Sequence, residues 1–200
     1  MIAENAPKAA GVKSRRVERA TEGEVANIRS SRTRELLILA AERLFGESGI
    51  EGVSLRQIGA EAGQGNTRVV QYHFNDKETL LRAIMAYRVP QMDARRMDML
   101  AEAEKRDQLG DIKTLLKIQC LPHLDLVDEN GRHPFARFMA EYMTRYRAMG
   151  ILHPQEERPE DHPGLTRALA LLAQRLHWIP NDILMLRATI CVSMFLNALI

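Results

Sequence analysis

The stretch "SLRQIGAEAGQGNTRVVQYHFNDK", residues 54–77, constrains this chain more than any other. It holds two short helical patterns fenced by glycines. Ser54 followed by Gln57 three residues later is the capping-box pattern, which opens a helix whose inward positions are Leu55, Ile58 and Ala62. Gly63 and Gly65 make a turn, and Asn66 is placed to cap the next helix, "TRVVQYHF". On that helix Val69, Val70 and Phe74 are apolar, while Thr67, Arg68, Gln71, Tyr72 and His73 are polar or amphipathic. A helix meant for a core is not written this way; one that touches a polar partner is. Upstream, "SSRTRELLILAAERLFGESG" begins a helix at Ser31 with Leu37, Ala40, Ala41, Leu44 and Phe45 on one face, ending at Gly49. Downstream, Asn75 or Asp76 caps "KETLLRAIMAYR". Two short helices, a glycine turn and a longer helix behind them make a helix-turn-helix unit.

In such a unit the second helix enters the major groove and the first crosses the backbone. Arg68 suits guanine O6 and N7, and Gln71 suits adenine N6 and N7, at about 1–3 kcal/mol of discrimination for each bidentate pair. Ser54, Thr67 and Tyr72 can donate to phosphate oxygens, and Lys77 lies in the first turn of the following helix, where it reaches backbone phosphate. Arg56, Asn66 and His73 complete the predicted DNA-facing set, each with a plain alternative as a solvated, capping or packing residue. Charge agrees in its distribution rather than its total. The net charge is only +2, yet residues 1–34 carry about +4 and the rest about −2. Residues 1–30, rich in Ala, Glu, Lys and Arg, are read as a largely disordered basic arm.

Residues 32–85, "RTRELLILAAERLFGESGIEGVSLRQIGAEAGQGNTRVVQYHFNDKETLLRAIM", resemble the DNA-binding domain of the tetracycline-repressor (TetR) family. The marks are Ala-Ala…Leu-Phe…Gly at 40–49, Ser54 before "LRQIGAEAG", and "HF" at 73–74 followed by "NDKETLL". The chain departs from the family where a shorter turn and a Gly-Thr-Leu-Tyr-like run are usual. Val69 stands at the usual Thr, Gln71 at the usual Tyr and Arg68 at the usual Gly. The phosphate-binding role therefore moves to Thr67 and Tyr72, and Gln71 becomes a candidate base reader. The resemblance implies an all-α, two-domain bacterial regulator: an N-terminal helix-turn-helix domain at 31–76 and a helical ligand-binding and dimerisation domain at 77–200. It implies a homodimer on an inverted-repeat operator, most simply as a repressor that a small-molecule effector releases.

The second half reads as a helical bundle on its own pattern. Segments fall at about 76–106, with Pro90 as a kink, then 111–127, 134–149, 163–178 and 181–200, separated by "LGD", "DENGRHP" and "LHPQEERPEDHPG". Candidate effector-pocket residues are Tyr87, Met92, Met99, Cys120, His123, Phe138, Tyr142 and Tyr146, within a wider Met/aromatic set that adds Phe135, Met139 and Met143. The plain alternative for such a stripe is ordinary core. Arg137 and Arg145, with His123, are candidates for orienting a polar ligand. Two strong stripes, Leu165, Leu169, Leu172 and Leu176, then Leu184, Ala188, Cys191 and Phe195 (continuing to Leu199), are expected to form the dimer interface. The resemblance implies a four-helix bundle across the two-fold axis.

Other chemistry is weakly supported. His133, His153 and His162 lack metal-ligand spacing, "GQG" follows no strand, and no cofactor, metal or enzyme activity is expected. Cys120 and Cys191 read as free thiols of a reducing compartment, and with no signal peptide or membrane span the expected location is cytoplasmic. The final apolar run, "MLRATICVSMFLNALI", has no cap, so the chain is expected to continue beyond it. The alternatives are a constitutive, architectural or activating DNA binder without a small ligand, and a helical interaction protein that keeps the helix-turn-helix only for packing.

Overall fold

A computed structural model describes the backbone of residues 10–66 and 68–200, and the side chains of Val25, 27–66 and 68–200. Among these there is no strand. The helices are α1 (Ala10–Ser48), α2 (Leu55–Glu61), α3 (Arg68–Phe74), α4 (Lys77–Lys105), α5 (Ile112–Cys120), α6 (Pro134–Glu141), α7 (Pro154–Glu157), α8 (Pro163–Arg175) and α9 (Asn181–Asn197). A 3-10 turn, Leu121–Asp125, continues α5, and a π-helical turn, Tyr142–Tyr146, continues α6.

α1 begins at Ala10, far ahead of the expected Ser31. Ala, Glu, Lys and Arg need no apolar stripe to favour helix, and it was the missing stripe that suggested disorder. Residues 1–9 of the expected arm lie outside the described residues. α1 ends where Gly49 takes φ +72°, a left-handed angle that glycine adopts freely. At the next helix start, Asp76 is the cap, accepting from the Thr79 N–H at 2.8 Å. Asn75 instead takes φ +56°, so the alternative box of Asn75 with Glu78 does not form. α4 runs through Pro90 unbroken. The proline's place is exposed, as is that of Ala86 four residues earlier, so water can serve the carbonyl that Pro90 cannot.

The apolar core of the head continues past residue 76. One apolar core runs from Leu37, Ala41 and Phe45 of α1 through Ile58, Val70 and Phe74 to Leu81, Ile84, Phe135 and Phe138. α6 lies directly on α1. A Cβ on Gly46 would stand 2.7 Å from the Arg137 Cβ and 3.1 Å from the Pro134 carbonyl oxygen, so only glycine permits that approach. Phe45 stacks on Phe138 with ring centres 6.4 Å apart, and Phe138 meets Phe135 at 5.9 Å. Across the same junction, Arg88 of α4 grips Glu42 of α1 with two bonds, Nε to Oε2 at 2.7 Å and Nη2 to Oε1 at 2.8 Å. A smaller core joins α4, α5 and α8 around Leu100, Leu115, Ile118 and Leu172.

Candidate DNA-reading head and effector cavity

The head forms as its local signals dictate. Ser54 Oγ accepts from the Gln57 N–H, and the Gln57 side chain accepts from the Ser54 N–H at 2.8 Å, completing the capping box. After α2 the chain turns with Gly63 at φ +69°, and the Gln64 N–H returns to the Gly59 carbonyl at 2.9 Å. Asn66 Oδ1 accepts from the Arg68 N–H at 3.0 Å, opening α3. Val70 and Phe74 are fully buried, and Arg34 of α1 lies over the Phe74 ring at 5.1 Å.

With its back fixed, α3 has one outward face. Arg68, Gln71 and Tyr72, at i, i+3 and i+4, are all exposed, and Tyr72 is 82% exposed, which no packing role explains. Arg56 and Ser54 are exposed on α2 beside it. Two expected contacts look different in place. His73 is half-buried between Tyr72 and Phe74, and burial, with Arg34 nearby, holds its pKa below the usual histidine value. Lys77 donates to the carbonyls of Ile50 and Glu51 at 3.0 and 3.1 Å. Its ammonium thus ties down the loop before α2, a contact that sequence spacing gives no sign of. Thr67 lies outside the described residues.

Below the head, a cavity of about 400 Å³ opens between α4, α5, α6, α8 and α9. Met92 and His123 of the expected pocket set line it, with Met139 and Met143 of the wider set. The other six lie elsewhere. Tyr87 donates to Glu35 Oε1 at 2.6 Å. Met99 packs toward the smaller core. Cys120 is buried beside Cys191, and burial, then the neighbouring thiol, pushes its own thiol up to about 12. Phe138, Tyr142 and Tyr146 are core between head and body; Tyr142 donates to the Ile151 carbonyl at 2.8 Å. Arg137 and Arg145 turn away too, donating to the Ile200 carbonyl oxygen and to Glu141.

The cavity has a polar end that the sequence reading missed: Arg96, Gln119, Arg147 and His153. Burial, then the Arg96 charge, holds His123 down at about 4; burial with Arg96 and Arg147 holds His153 at about 3. A signal for Arg96 was present. Val89, Met92, Arg96, Leu100 and Ala103 share one buried face of α4, so a cation sits on an apolar stripe.

Four residues of the expected dimer stripes face inward. Leu165, Leu172, Leu184 and Ala188 are buried in their own chain, and Leu165, Leu169 and Ala188 line the cavity. A side chain spent on its own core has no surface left for a partner. Leu176, Cys191 and Phe195 are half-buried, with Phe195 edge-on to His123 at 6.5 Å. The opposite face of α9 is apolar and exposed: Ile183, Leu186, Ile190 and Met194, with Trp178 just before the helix.

Residues 37–84 match the family model described as bacterial regulatory proteins, tetR family. Comparison with curated proteins finds no match. Two solved structures align along most of the chain. One, from Mesorhizobium loti MAFF303099 and described as a TetR-family transcriptional regulator, is 20% identical, with 86% of this chain and 96% of that chain covered and a TM-score of 0.48. The other, HlyIIR, a hemolysin II transcriptional regulator, is 21% identical, with 85% and 98% covered and a TM-score of 0.47.

Proposed function

The chain belongs to the tetR family of bacterial regulatory proteins by the head it carries at residues 37–84, and we propose that it works as a homodimeric repressor on an inverted-repeat operator. The observation that carries this is the outward face of α3. Arg68, Gln71 and Tyr72 stand exposed on a helix whose back is locked into the core. Arg68 and Gln71 read base edges; Tyr72, Ser54 and Arg56 contact the phosphate backbone on either side. Lys77 acts indirectly, by holding the α1–α2 loop that aims α2. Two heads related by a two-fold axis then meet half-sites about 34–36 Å apart, or a multiple of that. The exposed apolar face of α9 supplies the dimer contact, and the protein works in the cytoplasm, where its DNA is.

Release is a population shift. A small effector in the cavity favours a conformation whose heads no longer match successive grooves, and weakens DNA binding by its differential affinity for the two conformations. The parts for this are at hand. Met139, Met143 and Arg147 line the cavity, while Phe138 and Tyr146, on the same run of chain, touch Phe45 and Glu51 of the head. Within that run, the turn Tyr142–Tyr146 is π-helical, with the Arg147 N–H bonded to the Tyr142 carbonyl at 3.0 Å, a geometry common at functional sites. α4 is a second lever, reaching from the head to Met92 and Arg96 at the cavity.

Selection from a random duplex pool at moderate salt tests the reading. Recovery of an inverted repeat supports it. Duplexes bound without a shared motif would point to an architectural protein, and no bound duplex would point to an interaction protein.

A further inference from the structure

The polar end of the cavity holds a buried guanidinium whose donors the chain does not all answer. Arg96 is 3% exposed. Its Nη2 donates to the Gln119 carbonyl at 3.3 Å, while Nε and Nη1 have no partner. The adjacent carboxylate, Asp93, spends one oxygen on the Gly164 N–H at 2.9 Å and the other on the Leu165 N–H at 2.8 Å. That pins the start of α8 and leaves no ion pair with Arg96 among the described residues. A buried guanidinium with unmade bonds is destabilising, and in native proteins such a group calls for an explanation. The Gln119 side-chain oxygen is also unpartnered; turned end for end, that amide presents donors.

Charge counting narrows the missing group. Burial lowers the Arg96 pKa to about 10, so it stays cationic at neutral pH. His123 and His153, held at about 4 and about 3, are neutral there. Arg147 is matched by Glu156 at 2.5 Å. The nearest negative charge to Arg96 is the Asp93 carboxylate, but that carboxylate is turned to the amides of α8, so what stays unanswered at this end is the pair of guanidinium donors, Nε and Nη1. Gln155, Glu156 and Thr189 also line the cavity, and the rest of the wall is largely apolar, with Met92, Met139, Met143, Leu165, Met185 and Val192. The thioether chains let that wall adapt to its occupant.

We propose that the cavity binds a monoanionic apolar acid, a carboxylate seated on Arg96 with its hydrocarbon body among the methionines. The volume of about 400 Å³ equals roughly a dozen waters at ~30 Å³ each, which suits an acid of about ten carbons. A single carboxylate can accept from the unpartnered donors and fits the flat guanidinium fork. A dianionic phosphate would bring a second negative charge beside the carboxylates of Asp93 and Glu156. This inference rests on the reading of the cavity as the effector site, and it adds the class of effector.

Calorimetry of the full chain, without DNA, against three ten-carbon probes tests it: decanoate, decan-1-ol and decyltrimethylammonium. Decanoate is expected to bind at least about tenfold tighter than the alcohol, with the cation weakest. Arg96→Met, with folding checked by thermal melting, is expected to bring acid and alcohol to within about twofold. If that variant does not fold, Arg96→Lys, which keeps the charge, is expected to keep the order acid over alcohol. Equal binding of acid and alcohol by the wild-type chain, no binding of any probe, or an undiminished preference in Arg96→Met would each overturn the proposal. Because no DNA is present, failure here leaves the duplex selection standing. A decanoate preference in a chain that binds no duplex would instead keep the ligand class and remove the regulator.

Discussion

Tyr146 donates its hydroxyl to Glu51 Oε1 at 2.8 Å, and so joins the cavity's π-helical wall to the loop that aims α2. Burial, then this bond, raises the Tyr146 pKa to about 12, so the phenol remains a donor throughout the physiological range. Removing the hydroxyl removes a bond to a carboxylate, at about 1.5–3 kcal/mol, and leaves the ring packed. Tyr146→Phe is therefore expected to fold and to bind its selected duplex with near wild-type affinity. The ratio of duplex affinities without and with decanoate, on the order of 5–150 for ordinary coupling, is expected to shrink toward one. An unchanged ratio would mean that the signal travels by another route, such as α4.

Arg88 and Glu42 clamp α4 to α1 by two bonds, with Glu42 only 1% exposed. Truncating one partner leaves the other charge buried and unpaired. Arg88→Met is expected to cost about 3–5 kcal/mol in urea unfolding. The double variant Arg88→Met, Glu42→Gln is expected to recover much of that loss, because neither buried charge remains. Equal losses in the single and double variants would show that packing, not charge, holds the joint.

Two histidines held low in the fold, His123 and His153, set an acid limit. His123, at about 4 in the fold, stands near 6.5 in the unfolded chain. The unfolded chain thus takes up the proton first, and stability is fully present above about pH 6.5 and lost as pH falls from there toward 4. His153, at about 3, acts in the same direction over a longer span. From pH 7 to pH 5, His123 alone is expected to remove on the order of 2 kcal/mol. Urea unfolding at the two values checks this, and His123→Asn is expected to flatten the slope.

The exposed face of α9, not its buried stripe, is expected to hold two chains together. Met194, 70% exposed, and Ile190 lie on it. Met194→Glu with Ile190→Glu is expected to yield folded monomers by light scattering, with helical circular dichroism intact. A dimer that survives both changes would move the interface elsewhere.

The head was legible in sequence because its signals are local. The capping box of Ser54 and Gln57, the turn at Gly63 and the cap from Asn66 each act within a few residues, and all three occur as expected. The body was legible in its helices and not in which way they face. Two apolar stripes in tandem fit either a self-packed pair or an interface, and only tertiary packing shows that Leu172 and Ala188 point inward. The carbonyl partners of Lys77 were hidden for the same reason. A cation's partner can lie far along the chain, as Ile50 does from Lys77, and spacing carries no trace of it. His153 caps the short α7 and lines the cavity at once, which its place between Leu152 and Pro154 does not announce.

The most direct measurement of the central claim compares the selected duplex with a scrambled one, for the wild-type chain, Arg68→Ala and Arg56→Ala, across a range of salt. Arg68→Ala is expected to lose about 1–3 kcal/mol on the selected duplex and little on the scrambled one, relaxing preference at one position of each half-site. Arg56→Ala is expected to weaken both duplexes alike and to reduce the salt slope by about one per head. Equal losses on both duplexes for Arg68→Ala would contradict the claim that the outward face of α3 reads the base sequence.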